Sequence, residues 1–306
     1  MPVFRNHLGC FLSIDKIQFV EIVFESNAFH LGNLEEIVFE NKIDLGGSRP
    51  NLISQINDAL SQFTKESSFS SRFISFSLSN QFFNIFQIPI EESLIKKDQL
   101  DNFKWESGVL YPWIDSKSLL IQNIDVSSEL LPYKSSIVFG LKKEILVSLN
   151  KSAAENNLEL RYIDNAHISS NAFIKLDKAS ITEEATISIY FEENIFSISL
   201  LHNNIPLVFK VMEYKDKIDY FILKNELEKM KSLVEKGEKK ISDLYIFNEL
   251  GNEKIINNLM NDFHWNIIRT NPFFGIKANK NIVHKNLYTD LFNSFTSAVG
   301  IALRVV

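Results

Sequence analysis

Two separated stretches of the chain carry the same strand-forming pattern, and this repetition constrains the fold more than any other feature of the sequence. The first, FLSIDKIQFVEIVFE, spans residues 11–25, and the second, ATISIYFEENIFSISLLHNNIPLVFKVMEY, spans residues 185–214. Each consists of strand-length runs rich in Phe, Val and Ile that are separated by short turns, as in antiparallel hairpins. A helical pattern follows each stretch, so the sequence predicts a duplicated, mixed α/β architecture.

The rest of the chain alternates between helical and strand patterns. In NLISQINDALSQF the apolar residues recur at helical spacing, and strand patterns return from Arg72 and from Phe82. Further helices are predicted over about 91–108, 141–157, 167–178, 215–240, 252–263 and 285–306. The last of these should pack closely against a neighbour, because small residues lie along one side of SAVGIALRVV.

The length, charge and cysteine content exclude several classes of protein. With 306 residues the chain suits two domains, and a net charge of -6 gives no broad basic surface for nucleic acid. The single cysteine, Cys10, cannot form an internal disulfide, which favours a reducing compartment. No apolar run is long enough to span a membrane, and the N-terminus lacks the regions of a signal peptide. We therefore expect a cytoplasmic protein that reaches a membrane only through a partner.

Three segments carry recognisable local signatures. The C-terminal segment from Asn271 to Arg304 has an Asn-Pro-Phe motif, a spacer and a helix that finishes in Gly-x-Ala-Leu-Arg. The other two are IFQIPIEESLIKKDQLDNFKWESGVLYPW and LVSLNKSAAENNLELRYIDNAHISSNAF. In their order and spacing these segments resemble the type IV pilus assembly protein PilM family, which belongs to the actin, FtsA and sugar-kinase fold superfamily. The resemblance covers nearly the whole chain.

This resemblance implies a duplicated actin-like (ribonuclease H-like) fold of the mixed α/β class. Residues 1–180 would form the first half, with a family-specific inserted subdomain at about 68–135, and residues 181–306 the second half. The subdomain that closes over the base in this superfamily would be reduced to one helix, at about 216–238. Fold alone does not give function, because the superfamily contains kinases, filaments and inert scaffolds.

The phosphate-binding hairpins of that superfamily are degraded in this sequence. The first keeps Asp15 but lacks the loop and glycine that would let backbone amides surround a phosphate. In the second, Ser188 and Tyr190 stand near the positions that the family fills with glycine. Its turn carries Glu192 and Glu193, whose carboxylates would repel phosphate.

Other ligand-binding signals are equally weak. The turn that would lie under adenosine is FNELGN, in which Gly251 is the only glycine. The six histidines show no H-x-x-x-H spacing and have no neighbouring cysteine, so zinc is not expected. We therefore predict no cofactor, no metal and no catalytic residue. The chain would be a pseudo-ATPase in which Asp15 is a relic that serves the turn.

By the same resemblance the chain is expected to be a non-enzymatic scaffold of a type IV pilus or type II secretion platform at the inner membrane. Its partner would be the cytoplasmic N-terminal tail of a PilN-like membrane protein, with the pilus or secretion motor ATPase as a second partner. Two alternatives stay open. One is an active actin-like ATPase with a rearranged site, and the other is a filament-forming relative. A homo-oligomer is compatible with all three.

The resemblance places a partner groove on the insert, at Trp105, Glu106, Tyr111, Pro112 and Trp113. Aromatic side chains exposed there would anchor an extended peptide, whose backbone hydrogen bonds would supply affinity. Alternatively, Trp105 and Trp113 pack the helix of the insert onto its sheet. The sequence leaves both alternatives open.

Overall fold

The computed structural model describes residues 5–45, 49–66, 68–91, 93–177, 184–215, 217–248 and 252–304. The strands are β1 (His7–Leu12), β2 (Lys16–Glu25), β3 (Ala28–Val38), β4 (Phe73–Leu78), β5 (Phe83–Pro89), β6 (Leu119–Val126), β7 (Ser135–Lys142), β8 (Glu159–Asn165), β9 (Ala185–Glu192), β10 (Ile195–His202), β11 (Ile205–Glu213), β12 (Ile241–Phe247), β13 (Asn266–Arg269) and β14 (Lys277–Ala278). The α-helices are α1 (Arg49–Glu66), α2 (Lys96–Leu110), α3 (Lys143–Glu155), α4 (Ala166–Ser170), α5 (Ala172–Asp177), α6 (Tyr220–Lys236), α7 (Glu253–Asp262), α8 (Lys280–Val283), α9 (Asn286–Thr289) and α10 (Thr296–Ala302).

The first of two compact units contains a six-stranded sheet covered on both faces. It is made of Met1–Phe82, Lys143–Phe173 and Asn271–Val306, and its strand order is β14-β3-β2-β1-β4-β8. On one face α1 packs through a stacked pair of rings, Phe19 and Phe63, with centroids 4.6 Å apart. On the other face α10 lies against β1, since a Cβ atom built on Gly9 would be 2.2 Å from the Ala298 carbonyl oxygen. Successive residues of a strand face opposite sides, so both faces of β1 are buried.

The second unit, Phe83–Lys142 and Ile174–Thr270, contains two sheets. The five-stranded sheet has the order β11-β10-β9-β12-β13, and α6 and α7 pack onto it through buried side chains such as Leu227 and Leu259. The three-stranded sheet has the order β5-β7-β6. It is fastened to β11 by the Gln87 side-chain amide, which donates to the Leu207 carbonyl over 2.8 Å.

The two large sheets repeat one topology. In each, three consecutive strands form an antiparallel meander, and two later strands add in parallel beside the first strand of the meander. The orders β3-β2-β1-β4-β8 and β11-β10-β9-β12-β13 are therefore equivalent, and β14 is an additional edge strand in the first unit. This repetition confirms the predicted duplicated, mixed α/β fold.

Contacts divide the chain differently from the predicted boundaries. The predicted insert at 68–135 includes β4, but β4 pairs in parallel with β1 and belongs to the six-stranded sheet. The predicted second half at 181–306 includes α10, which packs on β1 in the first compact unit. Compact units are defined by contacts, whereas the predicted halves describe a duplication, so the division at residue 180 stays a prediction.

The predicted helices agree with the structure except near two breaks. The single helix predicted over 285–306 is wrong, because α9, a 3₁₀ turn at Phe292–Phe295 and α10 replace it. Within that turn, both the amide and the hydroxyl of Ser294 donate to the Leu291 carbonyl, over 3.0 and 2.7 Å, and this tighter bonding interrupts the α-helix. The helix predicted over 167–178 is likewise split into α4 and α5 at Asn171. None of the helices in the described part of the chain combines the length and apolar character needed to cross a membrane.

Candidate functional site

The turn between β1 and β2 is tight and closed by its own hydrogen bonds. The last paired residues are Leu12 and Ile17, and the Ser13 amide donates to the Lys16 carbonyl over 3.0 Å. The Ser13 hydroxyl donates to the Asp15 carboxylate over 2.5 Å and accepts from the Lys16 amide over 3.2 Å. The Asp15 side chain is thus engaged within the turn.

The chain that follows β3 covers the carbonyls of the same turn. The Phe39 amide donates to the Asp15 carbonyl over 2.8 Å, and the Ile43 amide donates to the Ile14 carbonyl over 2.6 Å. The Lys16 ammonium pairs with Glu36 at 2.8 Å. A phosphate site needs converging amide donors or an available cation. This turn uses the amides of Ser13 and Lys16 internally and presents the Asp15 carboxylate instead, so its arrangement is unfavourable for an anion.

The turn between β9 and β10 is shorter still. Glu193 and Asn194 form it, and Asn194 adopts the left-handed φ of 63° that asparagine tolerates in hairpin turns. Tyr214 closes the turn, because its amide donates to the Asn194 carbonyl over 2.9 Å and its hydroxyl to the Glu192 carbonyl over 2.6 Å. Burial raises the pKa of the Tyr214 phenol, which keeps this donor protonated at neutral pH.

The residues of β9 that the sequence predicts at the phosphate hairpin are inaccessible to a ligand. Ser188 and Tyr190 are fully buried, and Glu192 is buried as well, while Glu193 is exposed in the turn. The third predicted element, the turn containing Gly251, lies outside the described residues. Between β11 and β12 the structure has one helix, α6, where the sequence predicts a single helix at about 216–238.

Both tryptophans of the predicted partner groove are exposed. The side chain of Trp105 on α2 is 63% exposed, and that of Trp113, after the end of α2, is 76% exposed. The helix is attached to its sheet by Phe103, which packs with Phe86 and Val138 in a small core. Packing of the insert therefore uses Phe103, and the alternative in which the two tryptophans hold the helix on the sheet is wrong.

Tyr111 connects the exposed aromatic residues to the sheet of the insert. Its hydroxyl donates to the Ile85 carbonyl over 2.9 Å, and burial raises its pKa. Its ring meets that of Trp113 edge to face, with centroids 5.9 Å apart and planes at 90°. Pro112 between them is exposed, and Glu106 is half-buried beside Trp105. The five predicted residues thus lie along one continuous segment at the surface of the insert.

The apolar surface extends beyond the predicted residues. Exposed large side chains also occur on the same segment, at Ile95, Leu100, Val109 and Leu110. Val109 lies one helical turn after Trp105 and on the same face of α2. That spacing is visible in the sequence, but it does not indicate an exposed surface, because an apolar pair at this spacing is more often buried.

The described histidine, cysteine and acidic side chains form no metal site. The described residues include no group of three or more His, Cys, Asp or Glu side chains placed to hold a metal ion. Burial raises the pKa of the Cys10 thiol and lowers the pKa of His167 to about 3. Burial and the charge of Arg161 together lower the pKa of His7 to about 4. All three side chains are buried. Neutral, inaccessible groups of this kind serve packing.

Comparison with known proteins agrees with the fold. No protein-family model matches the sequence, and no curated protein sequence matches it. Among solved structures, the chain is similar to a Bacteroides thetaiotaomicron protein with an actin-like ATPase fold, with a TM-score of 0.50 and 14% identity over 87% of this chain and 91% of that one. The chain therefore has the actin-like fold.

The second comparison concerns a particular form of that fold. The chain is similar to a chain of a PilM-PilN type IV pilus biogenesis complex, with a TM-score of 0.72, 14% identity and coverage of 98% of both chains. The resemblance to PilM that the sequence predicts is thereby confirmed at the level of the fold.

Proposed function

We propose that the chain is a PilM-like scaffold that binds the cytoplasmic N-terminal tail of a PilN-like inner-membrane protein in a type IV pilus or type II secretion platform. The choice of partner rests on the similarity to a chain solved in a PilM-PilN complex. The partner would hold the scaffold at the cytoplasmic face of the inner membrane. The motor ATPase of the platform is a second partner in this proposal.

The observation that carries the proposal is the exposure of Trp105 and Trp113 on the insert. Tryptophan is enriched among the residues that dominate binding energy at protein interfaces. The hydrogen bond from the Tyr111 hydroxyl to the Ile85 carbonyl holds the Tyr111 ring, and the edge-to-face contact with that ring restricts Trp113 before any partner binds. Such restriction lowers the entropy cost of binding, so an extended tail could be held by few contacts.

A scaffold without ATPase activity is the second part of the proposal. Two observations support it: the Ser13 and Lys16 amides are bonded within the β1–β2 turn, and Tyr214 closes the β9–β10 turn. Neither turn contains glycine, so bringing a phosphate close to the backbone would require the turn to open. The competing function, an active actin-like ATPase, predicts that magnesium ATP binds between the two halves.

The proposal is tested by fluorescence anisotropy with a labelled synthetic tail of a PilN-like protein. We expect Trp105→Ala and Trp113→Ala each to raise the Kd of the full-length chain about 30-fold, since loss of a buried aromatic anchor costs about 2 kcal/mol. Phe221→Ala is the matched control, because Phe221 is a 68% exposed aromatic residue on α6. Unchanged affinity in the Trp105→Ala/Trp113→Ala double variant, or loss of binding in the Phe221→Ala control, would contradict the proposal.

A further inference from the structure

At one end of the six-stranded sheet, where strands begin or finish, cationic and aromatic side chains from several strands lie together. His7 pairs with both Ile22 and Phe73, and Phe73 pairs with Glu159. The strands β1, β4 and β8 therefore begin at the end of the sheet where β2 finishes. The β2–β3 hairpin lies at this end of the sheet. The start of β14 lies there too, because Lys277 pairs with His30. We call this end of the sheet the basic rim, and its residues are Arg5, Phe24, Arg72, Arg161, Phe274 and Lys277.

The basic rim has an excess of positive charge in a chain whose net charge is -6. Arg161 pairs with Glu159 at 3.1 Å and also lies 4.3 Å from the ring centroid of Phe73, while Arg5 lies 5.5 Å from the same ring. Among the described residues, no carboxylate forms an ion pair with Arg5, Arg72 or Lys277. Among the described residues at these strand ends, the exposed carboxylates are those of Glu25 and Glu159, while the Glu21 carboxylate is buried and accepts from the Ser70 and Ser71 amides. Four exposed cations therefore face two exposed anions.

The rim also presents apolar side chains that the fold holds outward. Phe274 is 88% exposed and precedes Gly275, whose φ of 78° sharply turns the chain. The adjacent Phe273 is buried and stacks on Tyr288 with centroids 5.0 Å apart, which fixes the turn. Phe24 is 39% exposed, near the end of β2. An exposed phenylalanine beside cations is a typical anchor for the interfacial region of a membrane.

We propose that the basic rim contacts an anionic lipid surface, with Phe274 and Phe24 entering the headgroup region and the four cations meeting lipid phosphates. From β8 to β14 the rim spans five strand spacings, or about 24 Å at about 4.8 Å each. Cations spread over that width match a surface of distributed negative charge, whereas one small anion would need converging donors. A lipid surface also accommodates Phe274, which a soluble anion does not.

This inference goes beyond the proposed function, because it needs no PilN-like partner and adds a direct contact to the indirect one that the sequence predicts. A single weak lipid contact gives only reversible binding, and stable anchoring takes two signals. The basic rim would supply one signal and the partner tail the other. The two would reinforce each other through effective concentration at the membrane.

The test is co-sedimentation of the full-length chain with phosphatidylcholine vesicles that contain or lack phosphatidylglycerol. We expect binding only to the anionic vesicles, and we expect added salt to weaken it because the charges are exposed. Each elementary charge near the surface contributes about fivefold, so Lys277→Glu should weaken binding about 25-fold. Phe274→Asp should weaken it at unchanged thermal stability, because Phe274 is 88% exposed.

A variant that carries both Phe221→Asp and Lys236→Glu on α6 is the matched control, with the same chemical changes on an element that contributes no residue to the rim. It should bind anionic vesicles as the unmodified chain does. The inference is overturned if the unmodified chain ignores anionic vesicles, if Phe274→Asp and Lys277→Glu leave binding intact, or if the α6 control loses as much binding as they do. Tail-peptide binding of the same variants, measured separately, distinguishes failure of this inference from failure of the proposed function.

Discussion

Replacing Gly9 by alanine tests the packing of α10 on β1, on which the first unit depends. The new Cβ would lie 2.2 Å from the Ala298 carbonyl oxygen and 2.7 Å from the Ala302 Cβ. Favourable non-bonded separations are about 3.5 Å or more, so α10 would have to move by about 1 Å. Movement away from β1 is blocked, because a Cβ on Gly300 would already lie 2.2 Å from the Ser169 carbonyl oxygen.

The size of the effect follows from this confinement. Overpacking costs about 1–3 kcal/mol, and we expect the upper end because every residue of α10 is buried and backbone atoms form the obstacle. At about 2–4 °C per kcal/mol for a unit of this size, Gly9→Ala should lower the Tm of the first unit by about 6–12 °C.

The assay is thermal unfolding followed by circular dichroism, with Gly108→Ala as the control. Gly108 lies in α2, where the nearest atom to a new Cβ would be the Ser116 hydroxyl oxygen at 3.5 Å. That variant should be stabilised by about 0.5–1 kcal/mol, because alanine favours the helix. If Gly9→Ala melts at the temperature of the unmodified chain, then α10 does not approach β1 as described.

Two further predictions concern buried polar groups of the first unit. Glu21 is buried and accepts from the amides of Ser70 and Ser71 over 2.7 and 3.0 Å. Glu21→Ala should lower the free energy of unfolding, measured in urea, by about 3 kcal/mol because it leaves those donors unpaired. An unchanged unfolding midpoint would refute this. Burial, with Arg161, lowers the pKa of His7 to about 4 in the folded chain from 6.5. The unfolded chain therefore binds the proton first, and the contribution of His7 to stability should be complete above about pH 6.5 and lost progressively toward pH 4, by up to about 3 kcal/mol. His7→Gln should flatten this pH dependence of the unfolding free energy, and an equally steep profile in that variant would contradict the prediction.

The sequence predicts those parts of the fold whose pattern is local. The hairpins at 11–25 and 185–214 follow from strand-forming runs around short turns, and both exist in the structure. The place of β4 cannot be read in this way, because parallel pairing with β1 joins segments separated by a meander and a helix. The break before α10 depends on Ser294 side-chain bonding that competes with the helix.

The local sequence pattern also does not predict which residues of the candidate site are exposed. Apolar residues occur on both sides of α2, so the sequence does not decide whether Phe103 or Trp105 faces the sheet. The structure buries Phe103 in the small core with Phe86 and Val138. Only the position of the neighbouring strands determines that choice, and it leaves Trp105 available to a partner.

The most direct test of the account is isothermal titration calorimetry of the full-length chain with two ligands in turn. The account predicts no saturable heat with magnesium ATP, because the β1–β2 and β9–β10 turns are short, contain no glycine and are closed by hydrogen bonds of Ser13, Lys16 and Tyr214. It predicts saturable binding of a PilN-like tail peptide, which Trp105→Ala/Trp113→Ala abolishes. Micromolar binding of ATP, or a tail peptide that gives no heat with the unmodified chain, would contradict it.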